Sequence, residues 1–408
     1  MASLRPEELV LQRDGDRGQA VLKFGLEHVG YLRSGAGAQA LGEIAARPLT
    51  DSTLVADIAW ARERFGVHAA VLVETTMLRR KAATKLARAG DWLFTDEALQ
   101  QATAEPVARH RARRLVGRRV HDATCSIGTE LAALADSADT LLGSDIDPVR
   151  LAMARHNVGG VELCRADALR PITRGAVVLL DPARRRGGRR RFDPRDYTPA
   201  LDALLAVYRG SDVVVKCAPG IDFSAVRDLG FTGEIEATSL AGSVREACLW
   251  SAALAAAGVT RRATILDTGE QLTDADPADC AVAPAGRWIV DPDGAVVRAG
   301  LVRHYATRHR LWQLDRDIAY LSGDRLPDGV RGFEVLEQIG YSERRLRQAL
   351  SARDIGALEI LVRGVDVDPD ALRSRLRLRG STPASAIITR IGTGPASRAT
   401  AFICRPSR

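Results

Sequence analysis

Four acidic residues stand at the ends of short apolar runs. Asp122 follows Val120-His121, Asp145 follows Leu141-Leu142-Gly143-Ser144, Asp167 follows Cys164-Arg165-Ala166, and Asp181 follows Val177-Val178-Leu179-Leu180. Runs without polar alternation suit parallel strands buried on both faces. Carboxylates at their C-terminal ends line the crevice where open α/β sheets bind ligands. The first run leads into Ala123-Thr124-Cys125-Ser126-Ile127-Gly128-Thr129-Glu130, with small residues at alternate positions. Such a turn, opening a helix, lets a ligand approach the backbone closely. A dinucleotide site would carry G-x-G-x-x-G here. An acid ahead of the turn instead favours a ligand that has no phosphate and bears positive charge.

The fourth acidic end is the place for a reacting group. Asp181-Pro182-Ala183-Arg184 offers a carboxylate on a rigid turn, able to orient an acceptor atom. Arg184, Arg185, Arg186, Arg189, Arg190 and Arg191 follow, with Gly187-Gly188 among them. A glycine-flexed arginine loop at a catalytic edge is a phosphate clamp, although charge runs are also ordinary solvated loops. Lys216, at the end of a fifth apolar run, either contacts substrate or pairs with Asp181. Cys217 beside it is a candidate nucleophile, but a strand-end cysteine is more often buried and inert.

These residues need an α/β sheet to hold them. Strands are expected near 118–123, 140–145, 161–165, 176–181 and 212–217, with helices over 128–136, 148–157 and 197–209. Asp147 reads as the N-cap of the second of these helices. Strands near 231–239 and 246–254 follow with a short connection, as an antiparallel pair at one edge. Before the sheet, 1–115 reads as helical. Met77 to Arg88 forms a basic helix with a solvated or phosphate-binding face, and Trp92, Phe94 and Leu99 dock the region on the sheet. The arginines of 109–119 either contact phosphate or face solvent. After it, 261–325 is less regular, with a hairpin over Trp288 to Val297 and a helix over Val302 to Leu314. A small α+β unit closes the chain. The expected organisation is a helical region at 1–115, an α/β domain at 116–258, a β-rich or irregular connection at 259–330, and an α+β domain at 331–408.

Composition sets outer limits. The chain has 408 residues and a net charge of +7, which permits an acidic partner such as nucleic acid without requiring one. Its only lysines are Lys23, Lys81, Lys85 and Lys216, so arginine position says more than arginine count. The six cysteines show no zinc-ligand spacing. The first residues lack the apolar core of a signal peptide, and no apolar run is long enough to span a membrane. A cytoplasmic setting with reduced thiols is expected.

The Asp122–Glu130 turn and the acidic ends after it resemble a class I methyltransferase dependent on S-adenosylmethionine (SAM), over about residues 117–257. The resemblance implies a Rossmann-like, seven-stranded core. It implies that Asp122, Ala123, Thr124, Ser126 and Gly128 lie along the methionine part of SAM, Asp145 and Ile146 at its ribose and adenine, and Asp167 and Ala168 at the adenine edge. Glycine is usual where Thr124 and Ser126 stand. Asp181-Pro182-Ala183-Arg184 departs from the Asp/Asn-Pro-Pro-aromatic motif of base-modifying members, leaving amino, carbon and hydroxyl acceptors open. Asp181, Pro182, Arg184 and Lys216 are the candidate catalytic residues. With Phe192-Asp193-Pro194, Ala218-Pro219-Gly220 and the Gly332–Cys404 module, the chain resembles a bacterial group with a C-terminal THUMP-like domain. That implies an RNA substrate, tRNA or rRNA, held partly by Arg185, Arg186, Arg189, Arg190 and Arg191. The alternatives are an inactive RNA-binding protein on this fold, or a methyltransferase of DNA, protein or a small molecule.

Overall fold

The computed structural model describes residues 22–183, 185–186, 189–190, 193–392 and 394–407. They form two compact units, one ending at Glu234 and including Arg245–Ala255, the other formed by Ile235–Val244 and the chain from Ala256 onward.

The first unit begins with six helices: α1 (Leu26–Leu32), α2 (Gly35–Ala45), α3 (Leu54–Phe65), α4 (Ala69–Ala82), α5 (Asp96–Gln101) and α6 (Glu105–Arg113). The alternating region follows: β1 (Arg119–Asp122), α7 (Thr129–Leu134), β2 (Thr140–Asp145), α8 (Pro148–Asn157), β3 (Glu162–Arg165) and β4 (Val177–Leu180). Then come a short ribbon of β5 (Arg185–Arg186) and β6 (Arg189–Arg190), α9 (Leu201–Val207), β7 (Val213–Cys217), α10 (Phe223–Asp228) and β9 (Ser243–Trp250); β8 (Glu234–Leu240), between α10 and β9 in the chain, belongs from Ile235 to the second unit. The sheet runs β3-β2-β1-β4-β7-β9. Its first five strands are parallel and β9 is antiparallel to β7. β8 turns into β9 through Ala241 and Gly242, both at positive φ. Strand order reverses at β1, which pairs with β2 on one side and β4 on the other. That switch point opens a crevice beyond the ends of β1 and β4.

Local chemistry explains several boundaries. Asp147 accepts from the backbone N–H of Val149 and Arg150 while Pro148 opens α8, the expected cap. Thr95 caps α5 through Ala98 N–H. The helical region is welded to the sheet by one core in which Trp92, Leu93 and Phe94 pack with Ile127, Leu131 and Met153, so the expected docking by Trp92, Phe94 and Leu99 is what the structure shows. The basic helix ends earlier than the sequence suggests, at Ala82, and its charges have another use. Arg79 donates to the carbonyls of Asp91 and Trp92, and Arg80 to those of Ala45, Arg47 and Pro48. Lys85 donates to those of Leu99, Gln100 and Ala102. They satisfy helix-end carbonyls rather than forming a free basic face. Among the 109–119 arginines, Arg109, Arg113, Arg118 and Arg119 are exposed, whereas Arg111 is buried, and Arg114 pairs with Glu234 and lies over the Trp250 ring.

In the second unit β8 pairs with β10 (Arg261–Ile265), which pairs with β11 (Glu270–Thr273). Then come β12 (Trp288–Val290), α11 (Gly294–Arg298), α12 (Val302–His309), β13 (Trp312–Asp315), β14 (Ile318–Gly323), β15 (Gly332–Gly340), α13 (Glu343–Ser351), β16 (Ile355–Arg363), α14 (Pro369–Leu376), β17 (Thr382–Ile391) and β18 (Arg398–Pro406). A seven-stranded sheet runs β13-β14-β12-β15-β18-β17-β16. Ala386, Ile388, Ala401 and Ile403 face Leu346, Leu350, Leu372 and Leu376 of α13 and α14, whereas Ile387, Phe402 and Cys404 face Ile289, Tyr320 and Phe333. This is the period-two alternation of a two-faced sheet. The expected 288–297 hairpin does not form. Asp293 caps Ala295 N–H at 2.7 Å and starts α11, while β12 takes the distant partners β14 and β15. The helix from Val302 stops at His309, where Arg310 adopts φ +56° and β13 begins.

Asn157 at the end of α8 is a cross-brace of the first unit. Its Oδ1 accepts from Leu93 N–H at 2.8 Å and its Nδ2 donates to the carbonyls of Leu93 and Ile127, both at 3.0 Å. Asn157→Leu strands these buried backbone groups and is expected to cost about 2–4 kcal/mol, read as a lower urea midpoint. An unchanged midpoint would dismiss the brace.

Candidate active site

A cavity of about 430 Å³ opens at the switch point, within the roughly 300–1,000 Å³ range of ligand pockets. Its wall includes Asp122, Ala123, Thr124 and Ser126 after β1, Asp145 and Ile146 after β2, Asp167 and Ala168 after β3, Asp181 after β4 and Lys216 on β7. Nine of the expected cofactor and catalytic positions thus share a wall with Lys216. Gly128 lies just behind, at the N-terminus of α7. It adopts φ +91°, and a Cβ there would fall 2.7 Å from Val158 Cγ2, so only glycine fits. Pro182 is buried beside Asp181. Arg184 and Arg191 lie outside the described residues. Of Arg185, Arg186, Arg189 and Arg190 only the antiparallel backbone pairing is described, Arg185 with Arg190 and Arg186 with Arg189.

The two departures from glycine each have a structural account. Ser126 adopts φ +49°, the left-handed conformation that glycine would take freely, and its N–H donates to Asp145 Oδ2 at 2.9 Å. Thr124 uses its side chain: its hydroxyl oxygen accepts from Asp181 N–H at 2.6 Å, tying the first loop to the fourth. Thr124 N–H donates to Asp122 Oδ1 at 3.2 Å.

Beneath the cavity lies an ionic cluster. Lys216 Nζ contacts an Asp181 carboxylate oxygen and lies 3.5 Å from Glu130 Oε1. From sequence, Lys216 either pairs with Asp181 or touches substrate; in the structure it pairs. Arg111, from α6, grips Glu130 with Nη2 at 3.0 Å and Nε at 3.3 Å, and Glu246 of β9 with Nη1 at 2.5 Å and Nη2 at 3.3 Å. All of Arg111, Glu130, Lys216 and Glu246 are buried. Burial opposes the charge of Glu130, but Arg111 and Lys216 outweigh it and hold its carboxyl below the ordinary range. Burial likewise opposes the Lys216 ammonium, which Asp181 and Glu130 hold above its usual value. Glu246 is pushed up by burial despite Arg111. Cys217 is buried, in keeping with an inert thiol.

Sequence reasoning missed Arg111, Glu130 and Glu246 as members of the site, and also Gln101, Arg150, Thr198 and Pro199 in the wall. Glu130 had one signal, its place in the first turn of the helix after the glycine turn. Arg111 and Glu246 lie 135 residues apart, and no local pattern joins them. Ala98, Gln101 and Ala102 make the end of α5 part of the wall, held by Lys85 and by an Arg150–Glu97 pair at 3.0 Å.

Asp122 tests what the cavity can hold. It is buried, and its Oδ2 has no hydrogen-bond partner. Burial and the nearby Glu130 push its carboxyl well above the ordinary range. An orphaned buried carboxylate oxygen calls for a cationic donor, and SAM carries an ammonium and a sulfonium. The residues present therefore fit that cofactor.

Comparison with known proteins agrees. Two Mycobacterium tuberculosis proteins, from strains CDC 1551 and H37Rv, are each 68% identical over 357 residues, covering 85% of this chain and all of theirs; both are named as uncharacterized S-adenosylmethionine-dependent methyltransferases. The chain belongs to this family of SAM-dependent methyltransferases, and its cofactor is SAM. Residues 330–406 match the THUMP domain-like family. A solved structure from Porphyromonas gingivalis W83, described as a methyltransferase, shares the fold at TM-score 0.68 and 18% identity, covering 88% of this chain and 99% of that one.

Asp122 binds its proton more readily folded than unfolded. Its contribution to stability is therefore full below the unfolded value near pH 4 and is lost as pH rises through the raised folded value. Asp122→Asn should raise stability at pH 7 by about 1 kcal/mol, a few degrees in Tm. SAM affinity should fall at least about tenfold. Calorimetric titration with thermal unfolding checks both, and a variant that loses stability while keeping SAM affinity contradicts the assignment.

Proposed function

We propose that this methyltransferase acts on RNA, on a base of tRNA or rRNA. The observation that carries the reading is the helical face of the THUMP-like module. Arg344, Arg345 and Arg347 on α13, and Arg373, Arg375, Arg377 and Arg379 on and after α14, are all exposed. Arg347 and Arg375 share Glu343, and Arg373 pairs with Asp370. Among the described residues, Arg344, Arg345, Arg377 and Arg379 have no ion pair. A cationic face of this kind suits a phosphate backbone. Phe333 and Phe402 are buried and only Tyr341 is partly exposed, so the module has little with which to stack unpaired bases.

SAM supplies an activated methyl group, and positioning supplies most of the rate. Asp122, Ala123, Thr124, Ser126 and Gly128 hold the methionine part. Asp145 and Ile146 take the ribose and adenine, and Asp167 and Ala168 the adenine edge. Asp181, paired with Lys216 and seated on Pro182, accepts a hydrogen bond from the acceptor group and aims it. Arg184, with the ribbon of Arg185, Arg186, Arg189 and Arg190 and with Arg191, takes the substrate phosphates. The reaction places the protein in the cytoplasm with its RNA.

Radiolabelled methyl transfer from SAM to total RNA, DNA and protein fractions, followed by nucleoside mapping, tests the reading. Label in an RNA nucleoside is expected, and label confined to DNA or protein refutes it. Replacing Arg344, Arg345, Arg377 and Arg379 by alanine should weaken RNA binding and flatten the log–log salt slope by about 0.7–0.9 for each phosphate that is no longer neutralised. An unchanged slope would remove the module from the interface.

A further inference from the structure

The ionic cluster holds more negative than positive charge. Glu130, Asp181 and Glu246 supply three carboxylates against the two cations Lys216 and Arg111, and Asp122, whose carboxyl burial pushes up, is a further acid beside them. Asp122, Glu130, Asp181 and Lys216 line the cavity, whereas Arg111 and Glu246 lie behind them. The arrangement solves a specific problem. An ammonium at Asp181 would by itself repel a cationic cofactor in the same pocket. Glu130 lies 3.5 Å from that ammonium, and the Arg111 fork fixes Glu130 in orientation through two nitrogens. Glu246, gripped by the same guanidinium at 2.5 Å, offsets the charge that Arg111 brings. Without Glu246, Arg111 and Lys216 would balance Glu130 and Asp181 and leave that end of the pocket neutral. Burial leaves little water to screen these charges.

Resting on the SAM reading, we propose that Glu246, Arg111 and Glu130 form a positioning cluster that keeps the methyl-donor end of the pocket net negative. The pocket thereby selects an occupant with a positive charge at the sulfur position over a neutral one of the same shape. The two natural occupants differ in that respect. SAM bears a sulfonium, and S-adenosylhomocysteine, left after methyl transfer, bears a neutral thioether. Transfer of the methyl group removes the charge that the cluster compensates, so the cluster favours exchange of product for fresh cofactor. Glu246 lies outside the pocket wall and acts through Arg111 and Glu130.

The experiment titrates the full chain with three ligands: SAM, S-adenosylhomocysteine, and an analogue with a primary amine at the sulfonium position. Wild type should bind the amine analogue more tightly than the thioether. Glu246→Gln keeps shape and removes one charge. It should weaken both cationic ligands by about tenfold while changing the thioether less than about threefold. Glu130→Gln should do the same, and Glu246→Asp should restore the wild-type ratio. Equal weakening of all three ligands would mark a structural role and overturn the proposal. So would a wild type that binds the thioether as tightly as the amine analogue, a result that needs no variant to fold. A wild type that binds none of the three overturns the SAM reading itself, and the proposal with it.

Discussion

The contact on which the site depends is the buried pairing of Lys216 with Asp181. An isolated ammonium on β7 would be costly so far from water, and would give up its proton instead. It remains charged because Asp181 and Glu130 adjoin it. Glu130 in turn is kept ionised by Arg111 and Lys216. Each member is tolerable only because the next is present. Such clusters add little net stability, yet losing one member leaves the rest unpaired at a cost of several kcal/mol. What the cluster provides is placement: Asp181 is held at the end of β4 with one carboxylate oxygen engaged from beneath, and it lines the cavity above.

The same cluster explains why the helical region belongs to the active unit. Arg111 comes from α6, Glu130 from α7, Lys216 from β7 and Glu246 from β9. Charges from four elements meet at one point, so helix α6 has to lie against the sheet. The apolar core and the Asn157 brace secure the rest of the helical region to the same sheet. Through its neighbour α5, that region also closes one side of the cofactor cavity. Helices that read from sequence as a separate leading region are therefore a wall and an anchor of the site.

What is legible in the sequence follows from the range of each interaction. The β1–β4 run, the Asp147 cap and the acidic strand ends depend on neighbours within a few residues, and they stand in the structure with small shifts in boundary. The Asp293 turn is ambiguous because a hairpin and a helix cap use the same residue types, and only the distant partners of β12 decide between them. The basic stretch at 77–88 reads as a surface feature because its targets, the carbonyls of Pro48, Trp92 and Leu99, are far along the chain. The acids that line the cavity are visible as strand ends, while the Arg111–Glu246 contact has no local trace. Positions legible in sequence stand on the loops that line the cavity, whereas Arg111 and Glu246 meet only through space.

Thr124 shows how a departure from a family pattern can carry information. Glycine there would give the loop freedom and nothing else. Threonine places a hydroxyl on Asp181 N–H, while its own N–H engages Asp122. One residue thus touches both the Asp122 carboxylate and the backbone of Asp181. Beside it, Ser126 supplies the left-handed turn and Gly128 the close approach to Val158. The pattern has divided its tasks among three residues: conformation to Ser126, clearance to Gly128, and linkage to Thr124. Because the linkage runs through a backbone N–H at Asp181, it does not depend on which side chains follow that residue in the chain.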